Sequence, residues 1–361
     1  MIGPRKDATV CYLLAYREPR YIRTLSLLAA LERIPEVRML TVINRSRGWW
    51  RYGELLLGLV RMRWCFDPEI YILGFRGHEI FWPVRWLTRG RVLIFDAMMS
   101  PSASLGGERS PGGLGRLLAG GARWVEQSIF RHADWVWTDT ERHRLWMMDT
   151  FGISGQRIVA LPVGAVEVSS VPVSNRGSDP FHVLFYGTFL PLHGVEVIFA
   201  AARLLRRHPV RLTIIGGRRG WQPWINEQIR SAEGVIDYKP WVPFDDLLTV
   251  HIPRADLCLG GPFGNTPQAA RVVTGKTQQC MAMGKGVVIA HPMDGFIHQF
   301  NCLIVPPEDP ESLAAAILWA KDHPAEWQEI SRRGQELYHQ RFGIDQIRKR
   351  MAVVLNIIVT S

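Results

Sequence analysis

Five cysteines in 361 residues, Cys11, Cys65, Cys258, Cys280 and Cys302, are too few and too scattered to staple a fold or hold a zinc ion. Their number is odd, none stand at CxxC spacing, and most fall in apolar strand or helix patterns, which describes reduced core residues of a cytosolic protein. Long apolar runs are missing too. The opening MIGPRKDATVCYLLAY lacks a signal-peptide apolar region and its apolar stretch is too short to span a bilayer, so no membrane crossing is expected. There is no GxSxG elbow, no HExxH and no paired Cys/His arrangement, which leaves hydrolase and metalloenzyme readings without support and no metal is expected. No repeat or low-complexity segment interrupts the chain, and neither a nucleic-acid motif nor a long basic block is present. Lysine is scarce: a single Lys6 stands in residues 1–170, where 23 basic residues face 16 acidic ones, so the surplus positive charge there is almost all arginine.

What remains is a chain long enough for two domains of about 150 to 200 residues, each with its own core. Apolar runs near 8–15, 38–43, 69–74, 91–96, 134–138 and 157–162 predict strands alternating with helices, the pattern of a parallel sheet that binds ligands at the carboxyl ends of its strands. Periodicity stops over VEVSSVPVSNRGSDP, residues 166–180, where Ser, Pro, Asn and Gly accumulate and a domain boundary is expected. The reading is α/β, with residues 1–170 as one Rossmann-like domain and 171–343 as a second. The segment 344–358, IDQIRKRMAVVLNII, reads as a helix apolar on one side.

Residues 181–306 carry the most information. FHVLFYGTFLPLHGVEVIFAAARLL reads as a strand ending at Gly187, a loop to Gly194 and a helix, and VRLTIIGGRRG ends a second strand in Gly216 and Gly217. Neither turn has the GxGxxG dinucleotide spacing; both suit close backbone approach to a ligand and equally suit ordinary α/β packing. The third piece follows ADLCLGG: Pro262, Gly264, Asn265, Pro267, Arg271, then Thr274, Gly275 and Lys276 opening the helix TQQCMAM. Thr274 as cap, a permissive glycine and a cation at a helix start make a metal-free anion site, against the plainer reading of Arg271 and Lys276 as a solvated basic rim.

In YGTFLPLHGVEVIFAAARLL, RLTIIGG, VPFDDLLTVHIPRADLCLGG, GKTQQCMAMGKGVVIA and CLIVPPEDPESLAAAI, taken in order and spacing, the run from Tyr186 to Pro307 resembles the donor-binding domain of retaining glycosyltransferases of the group 1 (family 4) type. DPEIYILGFRGHEI, VLIFDAMMS and ADWVWTDTERHRLWMMDTFGISGQRIVALPVGA extend the resemblance, less tightly, over the first half. It implies the GT-B fold, two Rossmann-like domains facing across a cleft, the first binding acceptor and the second donor, with the 344–358 helix crossing back to the first. It also implies transfer of a sugar, with retention and without metal, from a nucleotide-diphosphate sugar to a hydroxyl; that sugar nucleotide is a co-substrate and no cofactor is expected. Donor contacts are then expected from Gly187, Thr188, His193, Gly194, Gly216, Gly217, Asn265, Arg271, Lys276 and Gln279. Thr188 and His193 stand where the family carries an Arg and a Lys for the donor phosphates, and Arg271 and Gln279 stand where it carries two glutamates. His193 is expected to help with phosphate if protonated, Gln279 to hydrogen-bond a ribose hydroxyl, and Arg271 to meet an anion. Missing glutamates also fit a catalytically idle relative that binds a nucleotide sugar or a partner, and a nucleotide-sugar 2-epimerase is a third reading.

In the first half, candidate chemistry falls at strand ends: Arg76, His78 and Glu79 in GFRGHE, Asp96 in IFDAMMS, Asp139 and Glu141 in WTDTERHR. Asp96 occupies the position where the family often places a histidine that contacts the donor sugar, so Asp96 and then His78 are the catalytic candidates; Asp139 with Thr140 reads as a helix cap. RGWWRYGELLLGLVRMRW, residues 47–64, sets Trp49, Trp50 and Trp64 among Arg51, Arg61 and Arg63 around a leucine-rich stretch. Such a helix suits an anionic lipid interface, and suits equally a helix whose leucines pack on a sheet. From this come the expectations of a lipid-linked or membrane-proximal glycan acceptor in cell-surface polysaccharide or glycoconjugate synthesis, and of a cytoplasmic protein, peripheral on the inner face of the cell membrane.

Overall fold

The computed structural model describes residues 8–105, 113–167, 180–291, 293 and 295–360. The chain folds as two units, Met1–Gly164 with Ile344–Ser361, and Ala165–Gly343.

The first unit is built on β1 (Ala8–Leu14), β2 (Val37–Ile43), β3 (Ile70–Leu73), β4 (Val92–Asp96), β5 (Trp135–Thr138) and β6 (Ile158–Ala160), all parallel, in the order β2-β1-β3-β4-β5-β6. Parallel neighbours need crossovers, and helices supply them: α1 (Ile22–Glu32), α2 (Trp50–Cys65), α3 (Phe81–Leu87), the short α4 (Pro101–Ser104), α5 (Gly113–His132) and α6 (Glu141–Phe151). The inner strands read as continuous apolar runs because both faces are covered. Cys11, Leu13, Tyr71, Leu73, Leu93 and Phe95 face Leu55 and Leu59 of α2, Phe81 and Val84 of α3, Ile129 and Phe130 of α5 and Met147 of α6. Their alternates Val10, Tyr12, Ile72 and Ile94 face the other way, toward Leu27 and Leu31 of α1.

The second unit repeats the design with β7 (Phe181–Tyr186), β8 (Val210–Ile215), β9 (Ile236–Lys239), β10 (Leu257–Leu259), β11 (Val287–Ile289) and β12 (Leu303–Ile304), parallel, in the order β12-β11-β10-β7-β8-β9. Its helices are α7 (Val195–Leu204), α8 (Gln222–Ser231), the one-turn α9 (Phe244–Asp246) and α10 (Ile252–Arg254), α11 (Gly275–Ala282), α12 (Pro310–Asp322) and α13 (Pro324–Arg341). On α7 the buried set Val195, Ile198, Phe199 and Ala202 recurs at helical spacing and covers β7 and β8 from one face. Cys280 and Met281 of α11 and Leu337 of α13 cover the opposite face.

The last helix, α14 (Ile344–Thr360), belongs to the first unit: Ile344, Ile347, Met351 and Leu355 enter the core that α1 shares with β1 and β3. Strand order reverses between β7 and β10, and a crevice opens outside the carboxyl ends of such a pair.

Candidate functional site

At that reversal the second unit brings its glycine turns together. Gly187 follows β7 at φ 147 and Gly216 follows β8 at φ 123. A Cβ on Gly216 would lie 2.0 Å from the Gly187 carbonyl oxygen, so only glycine lets the two strand ends touch. Gly194, at φ 59, opens α7, and a Cβ there would lie 2.5 Å from the Gly264 nitrogen. The Gly264 N–H donates to the Leu192 carbonyl at 3.1 Å, which ties the loop after β10 to the loop after β7. Gly217 sits under the Tyr238 hydroxyl, while Thr188 and Asn265 are exposed on the two loops.

Thr274 caps α11, accepting from the Thr277 N–H at 3.4 Å, and its own hydroxyl donates to the Gly260 carbonyl at 2.8 Å. The helix start is thereby fixed to the end of β10, and Lys276 in its first turn is carried inward. The Lys276 side chain is buried, its ammonium 5.2 Å from the centre of the Phe185 ring. Burial pushes its pKa down to about 7. His193 sits beside it: a Cβ on Gly187 would meet His193 Cε1 at 3.3 Å and Lys276 Cε at 3.8 Å. Burial first, and the Lys276 charge second, hold the His193 imidazole well below its ordinary value. Its Nδ1 bonds to the Thr188 carbonyl, so that nitrogen carries the proton and Nε2 is left as an acceptor. Of the sequence expectations, then, Gly187, Gly194, Gly216, His193 and Lys276 converge, and His193 is corrected from a helping cation to a neutral acceptor.

Two further readings are corrected. Gln279 is buried with its amide turned to the backbone and away from a ribose: Oε1 accepts from the Val166 N–H at 2.8 Å and Nε2 donates to the Val166 carbonyl at 3.1 Å. Asp96 is fully buried, and its carboxylate is closed by Arg23 of α1, 2.8 Å away, itself without exposed surface. The same guanidinium donates to the carbonyls of Thr138 at 3.2 Å, Leu161 and Pro162, so it stitches the ends of β4, β5 and β6. Asp96 anchors that knot and does not present a carboxylate to a sugar. Nothing in the local sequence of α1 marks Arg23; its partners lie 73 to 139 residues away.

His78 turns inward on the turn after β3, edge-on to Phe95 at 4.8 Å, and burial pushes its pKa down to about 3. Its Nε2 stands 3.9 Å from Oε1 of Glu126, a carboxyl that burial holds above its ordinary range, and neither atom has a hydrogen-bond partner among the described residues. Asp139 pairs with His143 at 2.7 Å while Thr140 caps α6. In the second unit Arg271 ends the turn Ala269–Arg271, partly buried. Sequence reasoning passed over Arg218 and Arg219, exposed cations that follow the Gly216–Gly217 pair at the same strand ends. Of the α2 arginines, Arg51 is held by the carbonyls of Ala15 and Gly48 and by Glu79, and Arg63 pairs with Asp67, whereas Arg61 is exposed.

Residues 180–322 match the family model described as Glycosyl transferases group 1. The D-inositol 3-phosphate glycosyltransferase of Kineococcus radiotolerans is 26% identical over 292 residues, covering 69% of this chain and 63% of that protein. The chain thus spans about 63% of the length of that curated relative. The Anabaena protein HepE, solved in complex with UDP and glucose, superposes with a TM-score of 0.71 at 15% identity over 97% of this chain and 100% of its own. Sucrose-phosphate synthase of Thermosynechococcus elongatus does so with a TM-score of 0.71 at 14% identity, over 98% and 99%. The two parallel six-stranded sheets are those of the GT-B fold, and the resemblance to group 1 glycosyltransferases stands.

Proposed function

We propose that this chain, with its group 1 glycosyltransferase domain, moves a sugar from a nucleoside-diphosphate sugar to a hydroxyl acceptor, with retention and without metal. One observation carries the reading: a buried ammonium, Lys276, set in the first turn of a capped helix beside the glycine turns of β7 and β8, with no carboxylate paired to it among the described residues. An ammonium so placed is under-solvated until an anion arrives. A diphosphate supplies that anion, and the N–H groups opening α11 add to the attraction.

During transfer the leaving diphosphate gains charge. Lys276 and the α11 N–H groups stabilise that charge in place, which is why the reading needs no metal. Gly187 and Gly216 let backbone approach the phosphates where a side chain would stand in the way. Arg218 and Arg219 supply further positive charge at the strand ends, in place of the family's Arg and Lys. Nε2 of neutral His193 accepts a hydrogen bond from a donor hydroxyl. For retention, the departing phosphate oxygen takes the proton of the incoming hydroxyl on the face it leaves, so no protein nucleophile is required. The UDP complex of HepE makes UDP the first donor nucleotide to try. The acceptor we favour is a lipid-linked or membrane-proximal glycan, supported by the arginine surplus of residues 1–170.

Calorimetric titration with UDP, GDP, ADP, CMP and dTDP tests the donor half. One diphosphate that binds wild type and is lost with Lys276→Met supports it. Binding without turnover of the matching sugar nucleotide over a panel of hydroxyl acceptors would favour the idle relative, and no binding at all would overturn both.

A further inference from the structure

The outer helix layer of the first unit carries large apolar side chains where solvent-facing helices carry polar ones. On α2, Trp50, Leu57 and Trp64 recur every seventh residue on one stripe, with 82%, 75% and 87% of their surface exposed. On α3, Trp82 and Trp86 stand one turn apart, and on α5 Leu117 and Trp124 again stand seven apart, 76% and 72% exposed. Leu55, Phe81 and Ile129 of these same helices bury in one core on one side of the sheet, so the stripes all lie on the opposite, outward side. α3 touches both α2 and α5, and the Trp82 ring packs at 4.9 Å on His132 at the end of α5. The three stripes are therefore one continuous face, broader than the helix that the sequence singled out. Monomeric proteins rarely expose a contiguous apolar patch beyond a few hundred Å² without a use for it.

The charge around this face is mostly positive. Arg47, Arg61, Arg89 and Arg131 are exposed, and none is in an ion pair among the described residues. Of the nearby carboxylates, Asp67 pairs with Arg63 and Arg91, Glu79 with Arg51 and Arg76, and Glu54 of α2 is turned to the N–H groups of Arg45 and Ser46. We propose that the face formed by α2, α3 and α5 docks on an anionic phospholipid surface, with the tryptophans at headgroup depth and the free arginines on lipid phosphates. Tryptophan and arginine both place an apolar body in the acyl boundary and a polar end in the headgroup layer. A second copy fits the face less well, since a twofold contact would set the same arginines against each other. The inference extends the lipid-linked acceptor reading, and its test measures binding rather than turnover, so either can fail alone.

The test is co-sedimentation of the full chain with vesicles of phosphatidylcholine, with and without phosphatidylglycerol. Wild type is expected to sediment with the anionic vesicles only, with its tryptophan emission shifted to the blue. A triple variant, Trp64→Ala with Trp86→Ala and Trp124→Ala, is expected to lose at least about tenfold in vesicle affinity while still melting cooperatively and, if wild type binds a nucleotide, keeping that affinity. Trp241→Ala, an equally exposed tryptophan of the second unit, is expected to change nothing. Arg47→Gln with Arg61→Gln is expected to remove most of the preference for anionic lipid. Wild-type indifference to phosphatidylglycerol, or a triple variant that sediments like wild type, would overturn the proposal. So would vesicle-independent dimerisation that the triple variant abolishes.

Discussion

Lys276 and Asp96 are both buried charged groups at strand ends, and their surroundings give them opposite uses. Asp96 has its counter-ion in place. Asp96→Asn leaves the Arg23 guanidinium uncompensated and is expected to cost about 3–5 kcal/mol, read as a fall in the denaturation midpoint. Lys276 has none among the described residues, and its pKa of about 7 lies far below the 10.5 of a free lysine. Binding a diphosphate restores the higher value. Affinity is therefore expected to be greatest below pH 7 and to fall as pH rises above it, with proton uptake at pH 8 visible as a buffer-dependent binding enthalpy. Stability of the unliganded protein has the opposite slope: between pH 7 and 10.5 the unfolded lysine holds a proton that the folded one has lost, so stability rises with pH across that window. Lys276→Met is expected to flatten both slopes and to weaken diphosphate binding about 10- to 100-fold, the loss of a charge-assisted contact of about 1.5–3 kcal/mol. The lysine was legible in the sequence because Thr274, Gly275 and Lys276 are neighbours in the chain. The use made of Asp96 and Gln279 was not, because Arg23 and Val166 reach them from 73 and 113 residues away.

At the scale of elements, alternation of apolar runs with helical periods placed all six strands of the first unit to within a residue or two, most plainly the inner ones, which are buried on both faces and read as unbroken apolar runs. Turns gave up less. Glycine marked where the strands end, but only the packed structure shows which glycine answers which: Gly216 to Gly187, Gly194 to Gly264. Gly216→Ala adds a methyl 2.0 Å from the Gly187 carbonyl at φ 123, and is expected to cost more than about 1 kcal/mol and to disturb the site from the β8 side. Thr274→Ala removes the α11 cap and its tie to β10, an expected loss of about 1 kcal/mol by chemical denaturation that Thr274→Ser restores. The exposed stripe on α2 was half legible. Its tryptophans and arginines stood out in the sequence, while its continuation onto α3 and α5 depends on helices brought together by the sheet.

For the whole molecule, the repeated α/β design could be read in advance from long apolar periods, whereas those periods marked the late helix only as apolar on one side and its return to the first unit was what the family resemblance implied. The apolar side of α14 makes part of the core with α1, so deleting residues 344–361 is expected to strip the first unit of its cooperative melting transition in calorimetry. That arrangement also bears on the order of biosynthesis. The residues that complete the first unit leave the ribosome only after all of Ala165–Gly343 has been made. At about 5–20 residues per second, the apolar surface that α14 shares with α1 and the nascent amino-terminal sheet stands uncovered for roughly 10 to 35 s. Over that interval the surface is a natural client for a chaperone, and the second unit, whose segments are contiguous, completes its own fold first.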